Sequence, residues 1–356
     1  MPNLMSELRL TAMTLPNRII MAPLTRCRAN NGHEPNALMA EYYAQRASAG
    51  LIIAEATMVM EGNSAFWKEP GIYSHTQISA WQQVTTAVHS AGGRIFLQLW
   101  HGGRACHPLL NRGIQPVSAS AIPILNDEVH TPEGKKPYVT PREIADSEIP
   151  AIITGFKIAA ENAKAAGFDG VEIHGANGYL LDQFLRDGTN KRNGAYGGSI
   201  EKRARLMLEV IEAVSQVWEN HSVGLRISPL NSYNDMVDSD PVGLTRWLAK
   251  HLNNYNLAYL HVIRGDILQK QKGNVITPAR ADYKGILISN QGYTPEEAES
   301  DIEEGIVDAI AFGVPFIANP DLPLRIKNKA PLNQANPATF YTSGSEGYTD
   351  YPFWHT

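Results

Sequence analysis

Cysteine is scarce: Cys27 and Cys106 are the only two in 356 residues. They form neither a CxxC pair nor a disulfide framework, so they read as free thiols in a reducing compartment. Basic runs are missing as well. With a formal net charge of −5 at pH 7 and no local Lys/Arg cluster, the chain offers nucleic acid no electrostatic footprint, which excludes it as a partner. No uninterrupted apolar stretch approaches the length that spans a bilayer, and the opening MPNLMSELRLTAMTLPNR lacks the basic-then-apolar layout of a secretory signal. These lacks predict a cytoplasmic protein with no membrane partner; monomer and dimer both stay open. There is no Gly/Ser linker, no low-complexity tract and no repeat beyond a β/α alternation. Nor does a G-x-G-x-x-G join a strand to a helix, which excludes a separate nicotinamide-binding domain.

What is present is apolar content, 43% hydrophobic against 19% charged, ample for one large core. Short runs rich in aliphatic and β-branched residues recur: RIIMAPL (18–24), LIIAEA (51–56), RIFLQLW (94–100), GVEIH (170–174), VGLRIS (223–228), LAYLHVI (257–263), GILIS (285–289) and DAIAFG (308–313). Nearly all-apolar strands need cover on both faces, so eight of them alternating with amphipathic segments predict a closed (β/α)8 TIM barrel rather than an open sheet. The segments 36–49, 76–91, 147–166, 199–219, 241–254 and 295–304 carry apolar residues at helical spacing, with Gly50, Gly92, Gly167 and Gly305 read as caps. The stretch 264–284 is the poorest helix candidate. The stretch 101–146, rich in Pro, Gly, Ser and Asn, is too long for an ordinary βα turn and reads as an excursion over the site. The opening LRLTAMTLPN reads as a hairpin plugging the barrel, and residues 1–356 as one domain.

In such a barrel the active site lies at the C-terminal ends of the strands. The residues there are Thr25 after strand one, Gln98 and His101 at strand three, His174, Asn177 and Tyr179 after strand four, and Arg226 at strand five. Gly292 and Gly313 follow strands seven and eight. Together they offer donors along an edge, a cation for a developing negative charge and backbone amides for a phosphate, a set that suits a flavin nucleotide. His101, His174 and His261 fall near strand ends, but no HxH pair accompanies them and no metal is expected. No run contains a lysine, which argues against a Schiff-base aldolase.

The segments NRIIMAPLTR (17–26), LQLWHGGR (97–104), HGANGYLLDQFL (174–185), YGGSIEKRARL (196–206), FIANPDLP (316–323) and EGYTDYP (346–352) resemble the old yellow enzyme family, and within it the bacterial N-ethylmaleimide reductase branch most closely. The likeness runs in order over essentially the whole chain. It implies an FMN-dependent ene-reductase that takes hydride from NADPH or NADH and delivers it to an electrophilic small-molecule alkene in a ping-pong cycle. By the same resemblance Pro23, Thr25, Ala56, Gln98, His174 and Arg226 hold the flavin, Thr25 at its C4 carbonyl and Arg226 beside N1 and the C2 carbonyl. Gln291, Gly292, Gly313 and Val314 reach its phosphate. His174 and Asn177 polarise the substrate oxygen, Tyr179 protonates the α carbon, and Phe66, Trp100 and Tyr341 line the cleft with them.

The chain departs from the family in places. Phe312-Gly313-Val314 stands where many relatives have FGR, removing an arginine from the phosphate site. Asn290-Gln291-Gly292 replaces a Gly/Ala-rich turn, and Phe66, next to Trp67, replaces a cleft tyrosine. Two other readings are compatible with a barrel: a flavin-binding sensor or scaffold without turnover, and a flavin-free phosphosugar enzyme, whose phosphate would also sit after strands seven and eight. The intact His174/Asn177/Tyr179 set argues against the sensor.

Overall fold

In the computed structural model, which describes residues 1–125, 127–218 and 222–354, the eight apolar runs are the strands of one closed parallel barrel. They are β1 (Ile19–Met21), β2 (Leu51–Met58), β3 (Ile95–Trp100), β4 (Gly170–Gly175), β5 (Val223–Ile227), β6 (Tyr259–Ile263), β7 (Leu287–Asn290) and β8 (Ala309–Phe312). Each pairs with its neighbour in sequence, and β8 closes on β1.

Alternation along the strands gives the interior two layers of opposite character. The lower layer is apolar: Ile20, Leu51, Ile53, Phe96, Tyr259, Ile288 and Ala309 form one cluster with Leu8, Leu10 and Leu15 of the N-terminal hairpin, Leu8–Leu10 paired antiparallel with Met13–Leu15. The hairpin is thus the expected plug. Phe96 and Tyr259 stack across the axis with ring centroids 6.0 Å apart. They fit because β4 and β5 carry Gly170 and Gly224 at that level, where a Cβ would lie 2.4 Å from the Phe96 ring and 2.3 Å from the Tyr259 ring. Two residues further along the same strands stand Gln98, Glu172, Arg226, His261 and Asn290, so the upper layer is polar.

The expected helices form the outer ring at Ala37–Gln45, His75–Ser90, Ile149–Ala165, Ile200–Ser215, Pro241–Leu252 and Pro295–Glu303. In Ile200–Ser215 the buried Ala204, Met207, Val210, Ile211 and Val214 make the core-facing stripe, and the Ser199 side chain caps the start by accepting from Lys202 N–H. The weak stretch 264–284 holds only the short helix Ile276–Asp282. Gly92, Gly167 and Gly305 have left-handed φ, as cap glycines do. Gly50 does not act this way: the helix before it ends at Gln45, and a Cβ at Gly50 would lie 2.2 Å from the Asn17 carbonyl oxygen. It is kept small by the chain crossing over it. Glu219, at the end of the 199–219 segment, and Asn126 in the excursion lie outside the described residues.

The excursion has its own scaffold, a hairpin of Glu128–Thr131 with Gly134–Pro137 and a short pairing of Val117–Ser118 with Arg142–Glu143. Arg104, from the LQLWHGGR motif, ties it to the loop after β5 by donating to Ile122 O and to Asn234 O and Asp235 O. At the other side the EGYTDYP segment folds back over the first βα loop. Tyr348 stacks on Tyr42 at 4.0 Å, while Arg26 and Arg28 donate to the carbonyls of Phe340, Gly347, Thr339 and Glu346. This strap brings Phe340 and Tyr341 to the barrel mouth. Among the described residues no helix is long and apolar enough to cross a membrane.

Candidate active site

At the C-terminal ends of the strands lies a cavity of about 590 Å³, where the barrel rule places catalysis. Pro23 and Thr25 from the loop after β1, Ala56 of β2, Gln98 of β3 and Arg226 of β5 line its inner part, with Gln291, Gly292, Gly313 and Val314 at the far end. His174, Asn177, Tyr179, Phe66 and Tyr341 line the outer part. Trp100 is the exception to the expected set. It is wholly buried behind the wall, edge-on to the Tyr179 ring at 5.2 Å and tilted against Phe66 at 6.3 Å. The aromatic pair that does face the mouth is Phe66 stacked with Tyr341 at 6.1 Å, whereas Trp67 is half exposed outside.

The polar upper layer fixes the hydrogen-bonding sense of the floor. Glu172, fully buried, accepts from Gln98 Nε2 at 2.7 Å and bonds His261 Nδ1 at 2.8 Å. A carboxylate only accepts. Gln98 is therefore left with its carbonyl oxygen for the cavity, and His261 carries its proton on Nδ1. Arg226 donates through Nη2 to Asn290 Oδ1 at 2.7 Å, and Asn290 Nδ2 in turn donates to Ala311 O. The Arg226 Nε–H is buried with no partner among the described residues. Burial lowers the Arg226 pKa while the Glu172 carboxylate raises it, and a guanidinium stays cationic under such a contest. An acceptor at Gln98, an unspent donor at Arg226 and a fixed positive charge fit the edge of a planar heterocycle that carries both N–H and C=O groups and gains negative charge.

Beside them β2 is irregular between Ala54 and Thr57. The Tyr43 hydroxyl fills the gap, accepting from Glu55 N–H and donating to Glu55 Oε1. Burial lifts the Glu55 carboxyl to about 7. The displaced backbone carries Ala56 to the inner cavity wall.

His174 is the penultimate residue of β4, and its Nδ1 accepts from Ala176 N–H at 3.3 Å. The ring proton of the neutral imidazole then sits on Nε2, the nitrogen left for the cavity. Burial, and after it the charge of Arg226, push the His174 pKa well below its ordinary value, so the ring donates as neutral imidazole. Asn177 follows in a left-handed turn at φ 57°, which asparagine tolerates, with its N–H held by Ser228 Oγ at 2.7 Å. Tyr179 begins the short helix Leu180–Leu185, its ring edge-on to His174 at 5.2 Å. Burial, then the phenols of Tyr233, Tyr138 and Tyr341, raise the Tyr179 pKa well above 10.0. Two donors and a protonated phenol thus meet in one place.

The far end is built from backbone. Gln291 and Gly292 are successive left-handed residues, at φ 92° and 68°. A Cβ on Gly313 would meet only Leu24, at 3.4 Å. Such an open glycine cradle suits an anionic group approached by backbone amides. Arg264 lies behind it, stacked on the Tyr293 ring at 3.6 Å and donating to Gln291 O at 2.8 Å and to Glu297 Oε2 at 2.9 Å. Among the described residues no group of three or more His, Cys, Asp or Glu is placed to ligate a metal.

Sequence reasoning passed over Glu172, Arg264, Asn290 as a wall residue, Tyr233, Ile267 and Phe340. Asn290 and Arg264 stand at or next to strand ends and were open to the same reading that found Arg226. Glu172 lies within β4 itself, while Tyr233, Ile267 and Phe340 reach the site from the loop after β5, the loop after β6 and the C-terminal strap.

Residues 3–333 match the family described as the NADH:flavin oxidoreductase / NADH oxidase family. The chain is 47% identical over 344 residues, 95% of this chain and 94% of the relative, to a probable flavin mononucleotide-dependent alkene reductase of Leishmania infantum. It superposes with a TM-score of 0.96 on the old yellow enzyme of Trypanosoma cruzi, at 47% identity and 99% coverage of each chain. Morphinone reductase gives the same TM-score at 43% identity, over 99% of this chain and 96% of that one.

Proposed function

The chain belongs to the NADH:flavin oxidoreductase / NADH oxidase family, the old yellow enzymes, and we propose that its cavity reduces the activated carbon–carbon double bond of α,β-unsaturated carbonyls, maleimides or nitroalkenes. It is an FMN-dependent oxidoreductase that uses NADH or NADPH. FMN bound in this cavity would supply the hydride chemistry that links the nicotinamide to the alkene β carbon. Gln98 and Arg226 would hold the polar edge of the flavin, Thr25 and Ala56 would pack along it, and Gln291, Gly292, Gly313 and Val314 would embrace its phosphate. The observation that carries this reading is the convergence of His174 Nε2–H, the Asn177 amide and the Tyr179 phenol over a floor with an unspent Arg226 donor.

His174 and Asn177 donate to one carbonyl or nitro oxygen and draw electrons from the conjugated bond. Tyr179 holds its proton until the α carbon needs it. Nicotinamide and alkene use the same outer cavity in turn, which makes the cycle ping-pong. Cys27 and Cys106 are buried and unpaired, in keeping with a cytoplasmic enzyme. The test is direct. The purified protein should be yellow, bleach with NADPH in the absence of oxygen, and regain its colour when a cyclic enone is added; a protein that stays colourless with added FMN sinks the assignment.

A prediction arises at the phosphate end. Val314, half exposed on the rim, stands where a guanidinium would grip the phosphate bidentately. Arg264 is spent on backbone carbonyls and Glu297. Val314→Arg is therefore expected to slow FMN dissociation and tighten FMN binding several-fold at low salt, the gain shrinking as salt rises. Fluorescence quenching titrations of both proteins at two salt concentrations measure it. Equal affinities at low salt would show that the phosphate lies elsewhere or already has its cation.

A further inference from the structure

We infer that Asn231, a residue of the loop after β5 that touches no reacting group, sets the hydrogen-bonding polarity of Asn177 and so makes it a donor to the substrate oxygen. An asparagine amide can face a cavity with either its oxygen or its nitrogen, and only the nitrogen serves to polarise a carbonyl. In this chain the choice is forced through a relay that ends on groups able only to donate. The backbone N–H groups of Tyr233 and Ile267 both donate to Asn231 Oδ1, at 3.3 and 3.2 Å. That fixes which end of the Asn231 amide is oxygen. Its Nδ2 must then point the other way, and it donates to Asn177 Oδ1 at 2.8 Å. With its oxygen engaged, Asn177 is left with its Nδ2–H for the cavity.

The relay is held firmly. Asn231 is fully buried; its own N–H donates to Ser228 O, and its carbonyl accepts from Arg186 Nη1 at 2.6 Å. The Asn177 main chain is pinned by Ser228 Oγ on its N–H and by Asn234 Nδ2 on its carbonyl. His174 is oriented in the same manner, by the Ala176 N–H that occupies its Nδ1. Both substrate donors are thus fixed by main-chain N–H groups, His174 directly and Asn177 through Asn231. Asn231 is a positioning residue for the reaction proposed above, and the inference rests on that reading.

The discriminating variant is Asn231→Asp, which keeps shape but changes polarity. When ionised, the introduced carboxylate accepts only, so Asn177 must turn its Nδ2 toward it and present oxygen to the substrate oxygen. When protonated, the carboxyl can donate to Asn177 Oδ1 and restores the original sense. The Tyr233 and Ile267 N–H groups that bond the side-chain oxygen, Arg186 on the Asn231 carbonyl, Asp182 paired with Arg186, and Asp266 through its bonds to Ser232 together set where the new carboxyl titrates. The expected result is reoxidation of the reduced enzyme by a weak enone that is at least tenfold slower than wild type at high pH. The rate should recover as pH falls through the carboxyl's titration, against a flat wild-type profile. Flavin bleaching by NADPH should change less, because a nicotinamide carboxamide has both a donor and an acceptor and can turn round to suit.

Asn231→Ala serves as the second variant. It leaves the Asn177 amide free to adopt either sense, and a smaller, pH-independent loss is expected. FMN content and circular dichroism check that each variant folds. A wild-type rate at every pH in both variants, or a defect in Asn231→Asp that does not vary with pH, overturns the inference. If wild-type enzyme itself fails to reoxidise with enone, it is the reading of the function that has failed.

Discussion

Replacing His174 with alanine is expected to slow reoxidation of the reduced enzyme by an enone at least a hundredfold while FMN stays bound. His174 offers a neutral Nε2–H whose position is set by Ala176 N–H on the other ring nitrogen, so it donates without reorganising as charge gathers on the substrate oxygen. Loss of one donor of this kind costs roughly 2.7–4 kcal/mol of transition-state stabilisation, a factor of about 10² to 10³. Asn177→Ala removes the second donor and should cost a comparable amount. Because both donors act on one oxygen, the double variant should fall short of the product of the two single effects. Gln98, Arg226 and the glycine cradle do not depend on His174, so flavin retention is the control. Stopped-flow absorbance of the oxidative half-reaction gives the measurement, and unchanged rates in both single variants would remove the pair from the mechanism.

The same geometry fixes a pH profile. His174 is pushed well below 6.5 by burial and by Arg226, and Tyr179 well above 10.0 by burial and neighbouring phenols. Lowering the pH therefore does not charge the imidazole until well into the acid range, and raising it does not ionise the phenol until strongly alkaline conditions. Enone reduction in the wild type should be flat from about pH 6 to about pH 9. A titration centred near neutrality would mean that a different group controls the step.

The barrel was legible in the sequence because parallel strands covered on both faces leave continuous apolar runs, and all eight runs are strands. Helices showed through their stripes and caps. Where reading failed, the cause was distance along the chain. Gly50 looked like a cap because it follows a helix, but its constraint comes from Asn17, and no local pattern reveals that. Trp100 points inward at the top of β3 as its parity requires, yet the excursion and Tyr179 cover it, so it supports the cleft instead of lining it. The residues that meet a ligand could be found by their place at strand ends, aided by the family likeness. Those that orient them could not: Gln98 meets Glu172 across 74 positions and Asn177 meets Asn231 across 54. Each is an ordinary polar residue until the barrel closes.

Tyr179→Phe is expected to separate the two half-reactions, leaving flavin bleaching by NADPH within a few-fold of wild type and slowing reoxidation by a weak enone by a hundredfold or more. The substitution removes the phenolic hydroxyl, with its proton and its contact to Asn234, and leaves the ring. The Tyr179 ring is held edge-on between His174 and Trp100, at 5.2 Å from each, and these contacts persist with phenylalanine. A positioned general acid contributes about 10² to 10⁴ to a rate, and burial, which raises the Tyr179 pKa well above 10.0, keeps the wild-type phenol protonated around neutral pH. The proton matters only once an alkene is present, which is why bleaching should be spared. Strongly activated alkenes such as maleimides can take their proton from water and should be slowed far less than a simple cyclic enone. That graded response is the signature to look for. Slow bleaching with normal enone reoxidation would place Tyr179 in the nicotinamide step instead, and equal slowing of maleimide and weak enone would mean that the phenol positions the substrate rather than protonating it.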